Sequence, residues 1–226
     1  FKNDELLKGF ELSERSFFSF LNNDNAYSRE KLKGDIETLE SFYKDRGYLK
    51  FSIESSQISL SRDMKSIFIN FNVFEGKKYN ISEAEVVGDI PLEEEVYSSI
   101  MDSLTGLTYS QAQITSIEEF FTNVLGNRGY AFAEVSGNPE IDEESSEVKI
   151  IFNIAPGKRT YTRKILFSGN NITQDHVLRR EMRQFEGAWS SNNSIEAGKV
   201  RLERLGYFKE VDVETVPVPD TEDQID

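Results

Sequence analysis

Three stretches of the chain repeat apolar residues every three or four positions, the period of one helix face. Leu32, Ile36, Leu39, Phe42 and Tyr43 do so in SREKLKGDIETLESFYKDRGY, and Ile114, Ile117, Phe120, Phe121, Val124 and Leu125 in SQAQITSIEEFFTNVLGNRGY. Ile195, Leu202 and Leu205 do so in SIEAGKVRLERLGY, a pattern that accommodates Gly198. Two others alternate with period two, Ile67, Ile69, Phe71 and Val73 in one and Val148, Ile150, Phe152 and Ile154 in the other. These predict half-buried strands. Each helical stretch ends on the same dipeptide, Gly47-Tyr48, Gly129-Tyr130 and Gly206-Tyr207, with glycines 82 and 77 residues apart. An interval of that size predicts a tandem array.

Each predicted helix is preceded by an aromatic residue and a serine: Tyr27-Ser28, Tyr109-Ser110 and Trp189-Ser190. The serines are expected N-caps, with Ser110 and Gln113 spaced as a capping box. The glycine is expected to supply the left-handed residue that closes the helix. After each Gly-Tyr the sequence turns strand-like. YLKFSIESSQISL leads through SRDMK to SIFINFNVFEGKKY, and YAFAEV leads through DEESS to EVKIIFNIAPGKRTY, so each pair reads as a hairpin. The third copy has only YFKEVDVETV before PVPDTEDQID. In the first strand Phe51 and Ile53 are odd-numbered whereas Ile58 and Leu60 are even-numbered. One extra residue near Ser55–Ser56 would let both pairs face one core, which predicts a β-bulge; a strand ending near Ser55 is the alternative.

A second repeat links the copies. EGKKYNISEAEVVGD and PGKRTYTRKILFSGN align Gly76 with Gly157 and Gly88 with Gly169, both 81 apart. Each reads as a turn, a strand and a glycine turn. A shorter helix follows, LEEEVYSSIMDSL or TQDHVLRREMRQF, with NDELLKGF as its counterpart in the first copy. The unit is strand, helix, helix, strand, strand, an α+β module. The expected modules are 1–78, lacking its first strand, 79–157, complete, and 158–226, lacking its last strand.

Charge separates the modules. Of 26 basic and 40 acidic residues, 13 and 13 fall in 1–78, 2 and 15 in 79–157, and 11 and 12 in 158–226. An acidic middle third repels phosphate backbones, so no nucleic-acid partner is expected. No apolar run approaches the eighteen or so residues of a membrane helix, and no signal-peptide pattern opens the chain, so it reads as cytosolic or as a mature or excised piece. The absence of cysteine excludes disulfides and thiol catalysis and leaves the compartment open.

The tandem βααββ unit with short linkers resembles the POTRA family. LKGDIETLESFYKDRGY at 32–48 and VLRREMRQFEGAW at 177–189 are similar to the third and fifth POTRA modules of outer-membrane β-barrel assembly proteins, so the resemblance spans the chain as modules three to five. It implies two helices over a three-stranded mixed sheet per module, with the second strand on an open edge. It also implies a periplasmic arm of a bacterial outer-membrane protein, carried before that protein's own C-terminal β-barrel, which receives unfolded outer-membrane proteins and docks accessory lipoproteins. No catalytic residue, cofactor or metal belongs to the family's arm. An open edge pairs with extended chains whatever their side chains. The expected edges are Tyr48 to Ser55, with Tyr48, Lys50, Ser52 and Glu54 as client residues, and Tyr130 to Val135. In the last module the resemblance places a lipoprotein contact at RREMRQFEGAW, on Glu186, Arg179 and Arg180, where a carboxylate can pair with a partner's arginine. A gating or recruiting arm of a related secretion barrel, and a plain spacer, are the competing readings.

Enzyme readings find no support in the residues. Glu93, Glu94 and Glu95 open a predicted helix, where negative charge suits the macrodipole, and DEESSE occupies a hairpin turn. Neither has the spacing of a calcium loop. His176, the only histidine, has no nucleophile motif nearby, and no phosphate or dinucleotide fingerprint occurs.

Overall fold

The computed structural model describes residues 1–10, 12, 28–63 and 67–226. Tyr27 and the end of the SRDMK turn lie outside the described residues. The elements run α1 (Asn3–Leu6), a 3-10 turn (Leu7–Gly9), α2 (Arg29–Lys44), β1 (Ser52–Leu60), β2 (Ile67–Phe74), β3 (Asn80–Gly88), α3 (Glu94–Leu104) and α4 (Gln111–Asn127). They continue through β4 (Glu134–Asp142), β5 (Glu147–Ala155), β6 (Tyr161–Thr162), α5 (Asp175–Glu181), α6 (Asn192–Arg204) and β7 (Gln224–Ile225).

The helices start where serines take orphan amides. Ser28 Oγ accepts from Lys31 N at 3.1 Å and Ser110 Oγ from Gln113 N at 3.3 Å. In the third copy the cap is Ser191, accepting from Ser194 N at 3.4 Å, and not the expected Ser190. Ser190 is held one step earlier, its amide donating to the Thr160 carbonyl at 2.9 Å just as Tyr109 N donates to the Tyr79 carbonyl at 3.1 Å. Trp189 therefore matches Thr108 in three dimensions, and the aromatic that sequence pairs with it, Tyr109, matches Ser190. The glycine of each Gly-Tyr takes φ of +96°, +100° and +68° at residues 47, 129 and 206, the left-handed conformation that ends a helix.

β1 and β2 pair antiparallel with Ile53 opposite Val73 and Ser55 opposite Asn72, leaving Glu54 as the extra residue. The bulge thus falls one residue before the expected Ser55–Ser56. It places Ile58 opposite Ile69 and Leu60 opposite Ile67, on the face shared by Ile53 and Val73. Among the described residues that face is covered only at its near end. Leu39, Tyr43 and Phe51 form a core with Leu6, Ile53, Phe71 and Val73 packed on it, whereas Ile58 and Leu60 remain exposed. The expectation that all four would face one core holds for direction and fails for burial.

The next three strands form a sheet in the order β3-β5-β4, so β4, the second strand of its unit, lies at an edge. Val148, Ile150, Phe152 and Ile154 are buried along β5, and Ile114, Phe121 and Leu125 along α4; Phe120 is exposed. In the last copy β6 and β7 pair in parallel, Tyr161 with Gln224 and Thr162 with Ile225. The sequence pattern predicts no strand within PVPDTEDQID, where β7 forms, and the strand it predicts over 207–216 does not form. A cleft of about 600 Å³ lies between 164–168 and 208–216. Val216 and Val218 pair instead with Asp226 and Gln224. Gly198 is buried on α6, where an added Cβ would stand 3.0 Å from Met182 Sδ, so the small residue keeps α5 and α6 close.

The chain divides into two compact units. One contains residues 1–84, 101–115 and 139–150, the other 85–100, 116–138 and 151–226. The division runs through the 79–157 segment.

Candidate client and partner surfaces

The first candidate is the edge of β1. Among the described residues β1 pairs only with β2, so one row of its backbone groups has no ladder partner. Of the four expected edge residues, Ser52 and Glu54 lie on the strand. Tyr48 and Lys50 do not, because the chain makes a further turn after Gly47, with Phe51 N donating to the Tyr48 carbonyl at 3.0 Å. Tyr48 packs edge-on against Tyr43, ring centroids 5.6 Å apart, and Lys50 Nζ pairs with Glu143. Glu54, thrown out of register by the bulge, accepts from Asn72 Nδ2 at 3.0 Å. The usable edge runs from Ser52 to Leu60 and is flanked by apolar side chains at Ile58, Leu60, Ile67 and Phe68.

The second expected edge, Tyr130 to Val135, also begins later, with β4 starting at Glu134. Its chemistry differs. A proline is accommodated inside a strand only where its missing donor faces outward, and Pro139 sits within β4. Gly137, two residues earlier, has the same parity and turns its N–H outward as well. There Glu118 Oε1 of α4 accepts it at 2.6 Å. Two successive outward donors of β4 are thus absent or occupied, one of the ways natural sheets quieten an edge.

The third candidate is the turn after α5. Glu186 Oε1 accepts from Ile165 N at 2.8 Å and from Arg179 Nη1 at 2.9 Å. Arg179 also donates through Nε to Asp175 at 2.6 Å and through Nη2 to the Ile165 carbonyl at 2.8 Å. The Ile165 amide, then Arg179, hold the Glu186 carboxyl below the ordinary carboxylate value. The hydrogen bonds to Asp175 and Glu186 raise the Arg179 guanidinium above its own. Arg180 points elsewhere, to Glu181 at 3.3 Å, which Arg201 in turn holds at 2.7 Å. The structure therefore brings Glu186 and Arg179 together and leaves Arg180 outside the pair. Phe185, beside them, is 67% exposed, and Glu186 is charged and partly open. A partner's cation that meets Glu186 must share the carboxylate with Arg179.

The acidic stretches considered for catalysis have structural employment. Glu93 binds Arg128 at 2.7 Å, and Glu143 of the DEESSE turn takes Lys50 on its carboxylate and Lys77 on its carbonyl, the latter at 2.8 Å. Among the described residues no three His, Cys, Asp or Glu side chains stand where one metal ion could be held. No described helix is long and apolar enough to cross a membrane. Sequence reading misses Glu118 and Asp45 altogether. A Pro two residues after a Gly in a strand pattern is the available signal for the first.

Comparison with known proteins places this architecture. The model of the family described as POTRA, surface antigen variable number repeat, matches residues 1–76, 79–157 and 160–226. The chain is 30% identical over its whole length to outer membrane protein assembly factor BamA of Neisseria meningitidis serogroup B, covering 28% of that protein. It is 32% identical over 94% of its length to BamA of Buchnera aphidicola, covering 34% of it. The chain thus spans about a third or less of these curated relatives. A crystal structure of Haemophilus influenzae BamA POTRA3-5 superposes with a TM-score of 0.87 at 26% identity, over all of this chain and 89% of the other.

Proposed function

The chain belongs to the POTRA family, and on that footing we propose that it is the periplasmic part of an outer-membrane protein and serves as the scaffold arm of outer-membrane protein assembly. Its work is binding, not catalysis. β1 receives clients in extended form by backbone pairing, which suits clients of many sequences that share only a tendency to form strands. The turn at Glu186 docks an accessory lipoprotein, with Arg179 as the group that orients the carboxylate. The similarity to BamA modules three to five supports the assembly role over a secretion-barrel arm. The observation that carries the client reading is the contrast between the outer edge of β1, without a ladder partner among the described residues, and a β4 whose outward donors are occupied or missing.

One crosslinking experiment in the full-length protein tests both surfaces. Neighbouring strand amides point to opposite sides, so Ser56→Pro and Gln57→Pro remove one outward and one ladder donor of β1. The outward variant, still folded by circular dichroism, is expected to lose client crosslinks about fivefold or more. In the same cells Glu186→Lys is expected to lose lipoprotein crosslinks and keep those of clients. Normal client crosslinks in both proline variants would sink the edge reading, and normal lipoprotein crosslinks in Glu186→Lys would sink the docking reading.

A further inference from the structure

The repeated Gly-Tyr marks more than the end of a helix. At two of its three occurrences the residue two positions before the glycine reaches out of its own module. Asp45 Oδ1 accepts the amide of Ala112 at 2.8 Å and the hydroxyl of Ser110 at 3.4 Å, at the start of α4. Asn127 Oδ1 accepts the amide of Asn193 at 2.7 Å and the hydroxyl of Ser191 at 3.4 Å, at the start of α6. The two sets match atom for atom. In each, the second helical amide is taken from outside and the third by the helix's own serine. The first turn of a helix has four amides with no intrahelical partner, so each of these helices has its N-terminus completed by the preceding module.

The glycine itself takes part in the same joint. The Gly47 carbonyl accepts from Tyr79 N at 2.9 Å and the Gly129 carbonyl from Thr160 N at 2.8 Å. A Cβ on Gly47 would stand 2.8 Å from Thr108 Cγ2, and one on Gly129 would stand 3.2 Å from Arg159 Nε, so both glycines are pressed against the succeeding module. A third contact recurs too. Lys77 donates to the Glu143 carbonyl and Lys158 pairs with Glu222, each joining a linker to the next hairpin turn. At the third occurrence Arg204, a pure donor, stands where Asp45 and Asn127 stand.

We propose that Asp45 and Asn127 are the coupling residues of the tandem, each positioning the next module by capping its long helix from outside. The glycine carbonyl sets the distance and the capping oxygen sets the rotation about it, because the two acceptors act on different elements of the following module. An amide oxygen does the task as well as a carboxylate, since Asn127 already does it. Any acceptor of that length serves, and a methyl group does not.

The test uses the whole chain, with amide exchange read by NMR and distances read between spin labels on α2 and on the turn between β4 and β5. Asp45→Ala is expected to speed exchange of the Ala112 amide at least tenfold and to broaden the distance distribution, while the amides of β5 keep their protection. Asp45→Asn is expected to behave as the unsubstituted chain. Asn127→Ala does to the Asn193 amide what Asp45→Ala does to Ala112, and Arg204→Ala changes neither amide. Unchanged exchange and distances in Asp45→Ala overturn the proposal. So does equal loosening in Asp45→Asn, which would assign the effect to charge and not to capping. If Asp45→Ala also strips protection from β5, Asn127→Ala decides, and unchanged exchange at Asn193 then overturns the proposal.

Discussion

β2 and β5 carry the same alternation, yet one is a half-covered hairpin strand and the other the centre of a core. Val148, Ile150 and Phe152 of β5 have no measurable exposure, whereas Ile67, the first of the matching set on β2, is 41% exposed. The side chains are equally apolar and equally spaced. The difference lies in their company. Among the described residues β5 has β3 on one side and β4 on the other, while β2 pairs with β1. Alternation specifies which face a residue takes, and neighbours decide whether that face is dry.

The largest effect expected from this contrast is on stability. Phe152→Ala removes a fully buried ring and should cost about 3–5 kcal/mol. Ile67→Ala removes an exposed side chain and should stay within roughly 0.5–1 kcal/mol. Urea unfolding of each variant, compared at the midpoint and slope, checks this; equal losses would mean that the far end of the hairpin is covered. Next comes the contrast of edges. Restoring the outward donors of β4 with Glu118→Ala and Pro139→Thr together should raise capture of an extended valine–threonine peptide about tenfold over the unsubstituted chain. No gain would show that occupied donors are not what keeps this edge quiet.

The smallest effect lies in the first core. Burial, then a hydrogen bond from its hydroxyl to Glu75 at 2.7 Å, raises the Tyr43 phenol well above its ordinary value of 10. A phenol whose folded value is raised keeps its stabilising contribution below the unfolded value and loses it as pH climbs above that. The first core should therefore weaken above about pH 10, and Tyr43→Phe should flatten that alkaline loss while costing about 1 kcal/mol at neutral pH. An alkaline limb unchanged in the phenylalanine variant would place the titrating group elsewhere.

Much of this molecule is legible in the chain. The two periods, the Gly-Tyr interval and the bulge required by the parity of Ile53 and Ile58 are all local, and local rules govern them. The misses differ in kind. Tyr48 and Lys50 read as strand residues, yet a further turn follows Gly47, with Phe51 N donating to the Tyr48 carbonyl, and it recurs after Gly129, where Ala133 N donates to the Tyr130 carbonyl. Ser190 reads as a cap, yet the pairing that holds its amide comes from Thr160, thirty residues away. Arg179 and Glu186 group correctly, since they lie seven residues apart around one turn, but nothing local could reveal that the Ile165 amide shares that carboxylate.

By itself, then, the sequence determined the elements, their order, their repetition and the faces they present, because those depend on spacing and on the backbone preferences of glycine, serine and proline. The tertiary structure alone decided which apolar faces are dry, which strand edge has its donors taken, and that Asp45 and Asn127 reach across to cap a following helix. Those outcomes rest on atoms separated by tens of residues that meet only once the chain has closed.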